Sequence, residues 1–338
     1  HLVNTSVTAG TLAVTAGTVS MTVNAGEVNF AADVDVAQNA DGSSAGAFNV
    51  TVSGGTLNFS GNADISALTV SGGAANFSGG GNVGPLTFNG GGGNVVFSLA
   101  EGAEETTYTL GAVELSATTS YTRNFSVGEG VTVNATSLAN KWGMGALTVD
   151  GELNFSGDLK FATGNNNSTE NNVIAGTGTL RVNSLTFGNV GVYNISVDRI
   201  EVGFGGIIYD DNGGNNGVPT VNLGATTIAA TESWSNGYGD DVATPRLTLV
   251  SARAADEDGV LSGGTFFDVV GADTVAEIEA EIRGEGTLVK TGEGTLTLSG
   301  ALSHTGGTTV EAGTLQLMLG GDYASGDISV ASGATLQL

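Results

Sequence analysis

Apolar and polar residues alternate along this chain in short bursts, and a glycine stands ahead of most of them. AGTLAV begins at Ala9, AGTVSM at Ala16, AGEVNF at Ala25, GGTLNF at Gly54, GGAANF at Gly72, DGELNF at Asp150, GTGTLRV at Gly176, AGTLQL at Ala312 and SGATLQL at Ser332. In GGTLNF, Leu57 and Phe59 share one face of an extended strand and Thr56 and Asn58 the other, because side chains alternate with a period of two. The pattern predicts a tight turn followed by a short strand, with Leu-x-Phe or Leu-x-Leu inward and Thr, Asn or Ser outward. Glycine before the strand is read as a residue that takes a positive φ without a Cβ clash.

Spacing decides how such strands connect. Gly55 to Gly73 is 18 residues, Gly294 to Gly313 is 19 and Gly313 to Gly333 is 20. These periods are too short for a βαβ unit of about thirty residues and fit one coil of a parallel β-helix, in which about three strands and their turns make a rung. Gly10, Gly17 and Gly26, seven and nine residues apart, fit successive strands within a rung. A β-sandwich, turning every eight to twelve residues, also suits those shorter spacings but competes less well over the whole chain. GGGNVGPL at 79–86 only partly matches the G-G-x-G-x-D unit of a calcium β-roll. VAEIEAEI at 275–282 reads as strand, since Ile278, Ala280 and Ile282 alternate and run directly into GEGTLVK. The expected fold is all-β, an elongated single-stranded parallel β-helix of some fifteen rungs, roughly 70 Å long at about 4.8 Å per strand.

Composition supports the repeat. Of 338 residues 56 are glycine and three are proline, without the three-residue glycine period of collagen. Only 13 Phe, six Tyr and two Trp are present, which suggests thin layers of Val, Leu, Ile and Ala rather than one thick interior. The balance of 34 acidic against nine basic residues, net −25, excludes nucleic acid as an expected partner, because polyanion binding draws on clustered Lys and Arg. Cysteine is absent, so neither a disulfide framework nor a thiolate metal site is expected. No apolar run has the length of a transmembrane helix. The opening residues, His-Leu-Val-Asn-Thr-Ser, do not read as a signal peptide, so a cleaved signal or an excerpt from a longer chain is expected.

The line GTLVKTGEGTLTLSGALSHTGGTTVEAGTLQL at 286–317 resembles the passenger-associated transport repeat, or autotransporter-associated β-strand repeat, of bacterial type V secretion. Gly286, Leu288, Lys290, Gly292, Gly294, Leu296, Leu298, Ser299 and Gly300 meet the first half of its pattern. Thr305, Gly306, Gly307, Thr308, Val310, Gly313, Leu315 and Leu317 meet the second. The resemblance implies a right-handed β-helical passenger, displayed at the bacterial cell surface or secreted, with its own C-terminal outer-membrane β-barrel as partner. It also implies that the repeat lies near the barrel and assists folding-driven secretion. Its expected core is Leu288, Leu296, Leu298, Val310, Leu315 and Leu317. No series of amphipathic ten-residue strands follows up to Leu338, so the barrel is expected outside this sequence. The expected organisation is a passenger over 1–285 and C-terminal rungs over 286–338, one continuous solenoid.

Several parallel β-helices cleave polysaccharides, so the fold leaves catalysis open. Paired carboxyls occur at Asp210–Asp211 and Asp240–Asp241, but adjacent strand residues face opposite ways, and solvated turns are the simpler reading. The histidines are His1 and His304 alone, too few for a polygalacturonase-like set, and GDIS at 326–329 lacks the last glycine of Gly-Asp-Ser-Gly. Asp256–Gly259 and Asn39–Gly42 complete no calcium loop, and GGGG at 90–93 lacks the Lys-Ser/Thr of a phosphate loop. No catalytic centre, metal or cofactor is expected. If the chain binds host glycans or surface proteins, the expected place is 231–246, TESWSNGYGDDVATPR, which breaks the period and carries Trp234 and Tyr238. Against that, Trp234 can fold back over a rung edge. Trp142 in KWGMG is a second candidate. The functional expectation is an adhesive or structural surface rod, with a polysaccharide-acting enzyme and a passive spacer for an N-terminal head as alternatives.

Overall fold

A computed structural model of the chain describes residues 5–7, 11–90, 92–115, 123–140, 145–161, 171–188, 192–210, 219–235, 246–251, 254–255, 261–318 and 326–338. Every regular element among them is a strand. The chain divides into two compact units, His1–Ser156 and Gly157–Leu338, and both are built the same way. A short strand pairs in parallel with the strand one coil further along the chain, so each coil lies on the last and buries its inward row. This is a parallel β-helix.

In the first unit the strand Glu27–Phe30 pairs with Thr56–Phe59, then Ala74–Phe77, then Gly93–Phe97. The register sets Phe30, Phe59, Phe77 and Phe97 opposite one another, and their rings stack with centroids 4.9, 5.3 and 5.1 Å apart. Stacked aromatic pairs contribute about 0.5–1.5 kcal/mol beyond the area they bury. On the outward side of the same strands, Asn58 donates to Asn29 Oδ1 at 2.6 Å and Asn76 donates to Asn58 Oδ1 at 2.8 Å. The alternation legible in GGTLNF therefore becomes two columns one residue apart, an aromatic stack inside and an amide ladder outside.

In the second unit two columns of strands carry the architecture to the C-terminal residues. One runs Thr227–Ala230, Thr265–Val269, Leu288–Thr291, Thr308–Val310 and Ile328–Val330. The other runs Trp234–Ser235, Val275–Ile278, Thr295–Leu298, Thr314–Leu317 and Thr335–Gln337. VAEIEAEI forms the strands Val275–Ile278 and Glu281–Gly284, with Ala276, Ile278, Ala280 and Ile282 all buried. Leu315 faces Leu336, 21 residues on, because SGATLQL holds one residue more than AGTLQL between glycine and leucine; the 20-residue glycine spacing understates that coil. An antiparallel pair, Ala254–Ala255 with Leu261–Ser262, departs from the parallel scheme.

Gly17, Gly26, Gly55, Gly73, Gly313 and Gly333 take the positive φ that the phrase predicts, and Gly151 does not. Gly313 has φ +64°, as the sequence reading requires, but Gly286 and Gly294 lie outside the left-handed region. A Cβ on Gly294 would run into the carbonyl oxygens of Gly271 and Thr274 in the preceding coil, and one on Gly313 into those of Gly292 and Gly294. What excludes a side chain at Gly294 is the turn stacked against it, about one coil earlier in the chain.

Candidate functional site

The repeat occupies two adjoining coils. Leu288–Thr291 and Thr295–Leu298 belong to one, Thr308–Val310 and Thr314–Leu317 to the next. Leu288, Leu296, Val310 and Leu315 are fully buried, and Leu298 and Leu317 are 2% exposed. Leu296 stacks between Ala276 and Leu315, and Leu298 between Ile278 and Leu317. Pairing of Thr265–Val269 with Leu288–Thr291 runs across residue 286, so the repeat continues the helix of the strands before it.

Two ionisable side chains lie inside this apolar stack. Alternation from Leu288 puts Lys290 on the inward row, between Phe267 and Val310, and it has no exposed surface. Its Nζ donates to the carbonyls of Thr291 at 2.6 Å, Gly292 at 2.9 Å and Ala312 at 3.1 Å. Burial lowers the ammonium from its ordinary 10.5 to about 8, with the Asp268 carboxylate acting in the opposite direction. His304 is likewise fully buried. Its Nε2 lies 2.9 Å from Thr308 Oγ1, Nδ1 has no partner among the described residues, and burial holds the ring below the usual histidine range.

Trp234 sits on the inward row opposite Ala276, 7% exposed, with its indole N–H unpartnered among the described residues. Its ring covers a rung and is not an exposed anchor. Phe204, which the sequence reading missed, is the exposed large aromatic among the described residues, at 74%. Val182 pairs with Val202 but Ser184 pairs with Gly206, so Gly203, Phe204 and Gly205 bulge opposite the single residue Asn183 and turn the phenyl ring outward. Phe204, Ser233, Trp234, Ser235, Val275 and Glu277 line an open cleft of about 510 Å³. Tyr238, Trp142, Asp211, Asp240, Asp241 and the run 256–259 lie outside the described residues, and of Asp210 only the backbone, at the end of Val192–Asp210, is described.

Charges from three strands converge on the outward face of the second unit, Arg199 and Glu201 from one strand, Arg181 from the strand before it and Asp268 from one further along. Arg181 Nε lies 2.7 Å from Glu201 Oε2, Arg199 Nε 2.8 Å from Glu201 Oε1, and Arg199 Nη1 3.0 Å from Asp268 Oδ2. Partial burial raises the Glu201 carboxyl and the two guanidiniums more than offset it, leaving it below the usual range. In the first unit, Asp41 of the Asn39–Gly42 turn accepts from the backbone N–H and hydroxyl of Ser43 at 2.9 and 2.6 Å. It is a turn carboxylate. No group of three or more His, Cys, Asp or Glu residues among the described residues is placed to hold a metal ion.

Comparison with known proteins agrees with the location of the repeat. Residues 288–317 match the family described as passenger-associated-transport-repeat. A stretch of 125 residues is 35% identical to the Adhesin BmaC autotransporter of Brucella suis biovar 1 (strain 1330); it covers 32% of this chain and 4% of that protein. This chain thus spans a small fraction of the relative's length. No solved structure matches it significantly. The chain thus carries a passenger-associated transport repeat, seated as two stacked coils of a parallel β-helix, and shares a further likeness with an autotransporter over about a third of its length.

Proposed function

We propose that this chain is an adhesive or structural surface β-helix whose repeat at 286–317 assists its own export. The observation that carries the reading is the position of Leu296 and Leu298, each stacked on both sides by an apolar residue of a neighbouring coil. A passenger lies outside the cell, where ATP is not expected, so outward movement has to be rectified by folding. Each coil that closes adds backbone ladder bonds and buries a further apolar row, worth roughly 25 cal/mol per Å² of apolar surface, which makes return through the barrel less favourable. On this reading the repeat emerges early from the chain's own C-terminal outer-membrane barrel, folds first and gives later coils an edge to pair with. The absence of cysteine suits a chain that threads unfolded.

Leu296→Asp with Leu298→Asp tests this in the full-length protein on cells. Surface display is expected to fall at least about tenfold, since an unpaired buried charge costs several kcal/mol; unchanged display would overturn the reading.

The adhesive role is supported by the name of the Brucella relative and by the cleft under Phe204. A solvent-facing phenyl ring beside Ser235 and Glu277 suits the apolar face and hydroxyls of a sugar, or a protein side chain. Trp234 supports that cleft from beneath, and Tyr238 follows it in the chain. Phe204→Ala should abolish retention on host glycans or surface proteins if the cleft is the contact. Retention at the parent level would remove the cleft from the proposal, and no retention by either protein favours the spacer. We take the chain to be non-catalytic. Glycan cleavage abolished by changing Asp210 or Asp240 would instead establish the enzyme alternative.

A further inference from the structure

We infer that Lys290 sets the register between the two coils of the repeat, acting as a selector of alignment more than as a source of stability. Its inward neighbours across the ladder are Phe267 and Val310, and neither can satisfy an ammonium. Three acceptors surround it. Two, Thr291 O at the end of its own strand and Gly292 O in the turn that follows, are available however the next coil lies. The third, Ala312 O at 3.1 Å, belongs to the next coil. An ammonium has three donors, so Lys290 is fully satisfied only when the turn at Ala312 stacks over the turn at Gly292. A slip of two residues preserves the inward and outward faces, leaving the Leu296–Leu315 and Leu298–Leu317 columns with apolar partners, but it carries Ala312 O away. A slip that apolar packing tolerates is thus penalised by a buried cation short of one acceptor.

A second device acts at the same place: a Cβ on Gly313 would strike the carbonyls of Gly292 and Gly294, so a slipped coil also puts a side chain where only glycine fits. The experiment therefore has to separate the charge from the glycine. The inference rests on the fold and not on the secretion reading, although a repeat that templates later coils would pass its register on to them.

The chain contains no cysteine, so an introduced pair reports register alone. Thr295 lies opposite Thr314, and a disulfide requires Cα atoms within about 7 Å. Thr295→Cys with Thr314→Cys therefore closes in the native register, and Thr295→Cys with Gln316→Cys closes after a slip of two residues. Each pair is placed in the whole chain with Lys290 retained and with Lys290→Met, then refolded from denaturant under mild oxidation. Lys290→Met is expected to raise cross-linking of the slipped pair about tenfold, the bias supplied by one charge-assisted hydrogen bond, and to lower that of the native pair correspondingly. The same slipped fraction with Met as with Lys would show that glycine packing alone sets the register and overturn the inference. Failure of Lys290→Met to fold at all, read by far-ultraviolet circular dichroism, would also overturn it, by making the ammonium a source of stability.

Discussion

In the column Phe30, Phe59, Phe77, Phe97, each coil presents the same ring to the next, with rings 4.9–5.3 Å apart. In the repeat the inward row reads Phe267, Lys290, Val310, and the neighbouring coil holds His304 against Thr308. The first arrangement gains dispersion and apolar burial at every step. Because like meets like, it discriminates weakly between one coil and another as neighbour. The second buries groups that are costly to desolvate, Lys290 held by three carbonyls and His304 by the Thr308 hydroxyl, each at a defined place. Like-on-like rows give cohesion, and unlike rows with a buried polar group give alignment, a use for which single buried polar residues in other folds are well attested.

The largest effect is expected where the backbone itself sets the spacing. Gly313→Val combines a φ of +64° with a collision against Gly292 and Gly294 carbonyls, and should destabilise the second unit by at least about 4 kcal/mol or prevent its folding. Gly333, at φ +87° but with nothing within 4 Å, is the control: Gly333→Ala should cost only about 1 kcal/mol in a denaturant melt. Equal losses at the two glycines would mean that φ, and not coil-to-coil approach, makes the repeat glycine necessary.

Next comes the aromatic column. Phe77 is fully buried with rings on both sides, and Phe77→Ala should cost about 3–5 kcal/mol. Its effect on register should be nil by the cysteine cross-link at 295 and 314. A register change there would break the contrast between the two regions.

A smaller effect separates them by pH. Lys290 in the folded chain titrates at about 8 against an ordinary 10.5. Below pH 8 both states hold the proton. Between the two values the unfolded chain binds more protons than the folded one, so this group makes stability rise with pH over that window. The charged group that acts on it is the Asp268 carboxylate on the neighbouring coil, itself paired with Arg199. Tyr108 and Tyr193, both raised by burial, act alike in parent and variant. The parent-minus-variant difference in denaturation midpoint for Lys290→Met should therefore climb from pH 8 to about pH 10. A flat difference would mean that the ammonium is not desolvated.

The smallest effect belongs to the outward ion ladder. Arg199 is about one-third exposed, so a double-mutant cycle with Asp268 should return about 1 kcal/mol or less, weakening with salt. A salt-independent coupling of several kcal/mol would move part of the second unit's cohesion to its surface.

The strands and their inward rows were legible because a period of two survives in six-residue phrases such as GGTLNF, whatever lies elsewhere in the chain. The cause of the glycines was legible only in part. At Gly294 the constraint is the turn at Gly271–Thr274, which no local pattern encodes. Lys290 could have been placed: it stands two residues after Leu288 and so on the leucine face, but a charged residue reads as outward when alternation is not followed through. Phe204 could not, because its exposure depends on the register shift between Val182 and Ser184. Trp234 was singled out as an aromatic among polar residues, and pairing with Ala276 turns it inward. Arg199 and Glu201 are neighbours on one face of a single strand, a pair the period of two could have shown, whereas Arg181 and Asp268 join them only through coil stacking.

The central claim is that folding of the repeat in particular drives export. Its most direct measurement is surface display of two full-length variants, Leu296→Asp in the repeat and Phe59→Asp in the aromatic column, each placing a carboxylate at a fully buried position. Both should destabilise their own region by several kcal/mol. The account predicts that Leu296→Asp loses surface display while Phe59→Asp still reaches the surface and is there more readily cleaved by added protease. Equal display of the two variants would contradict it.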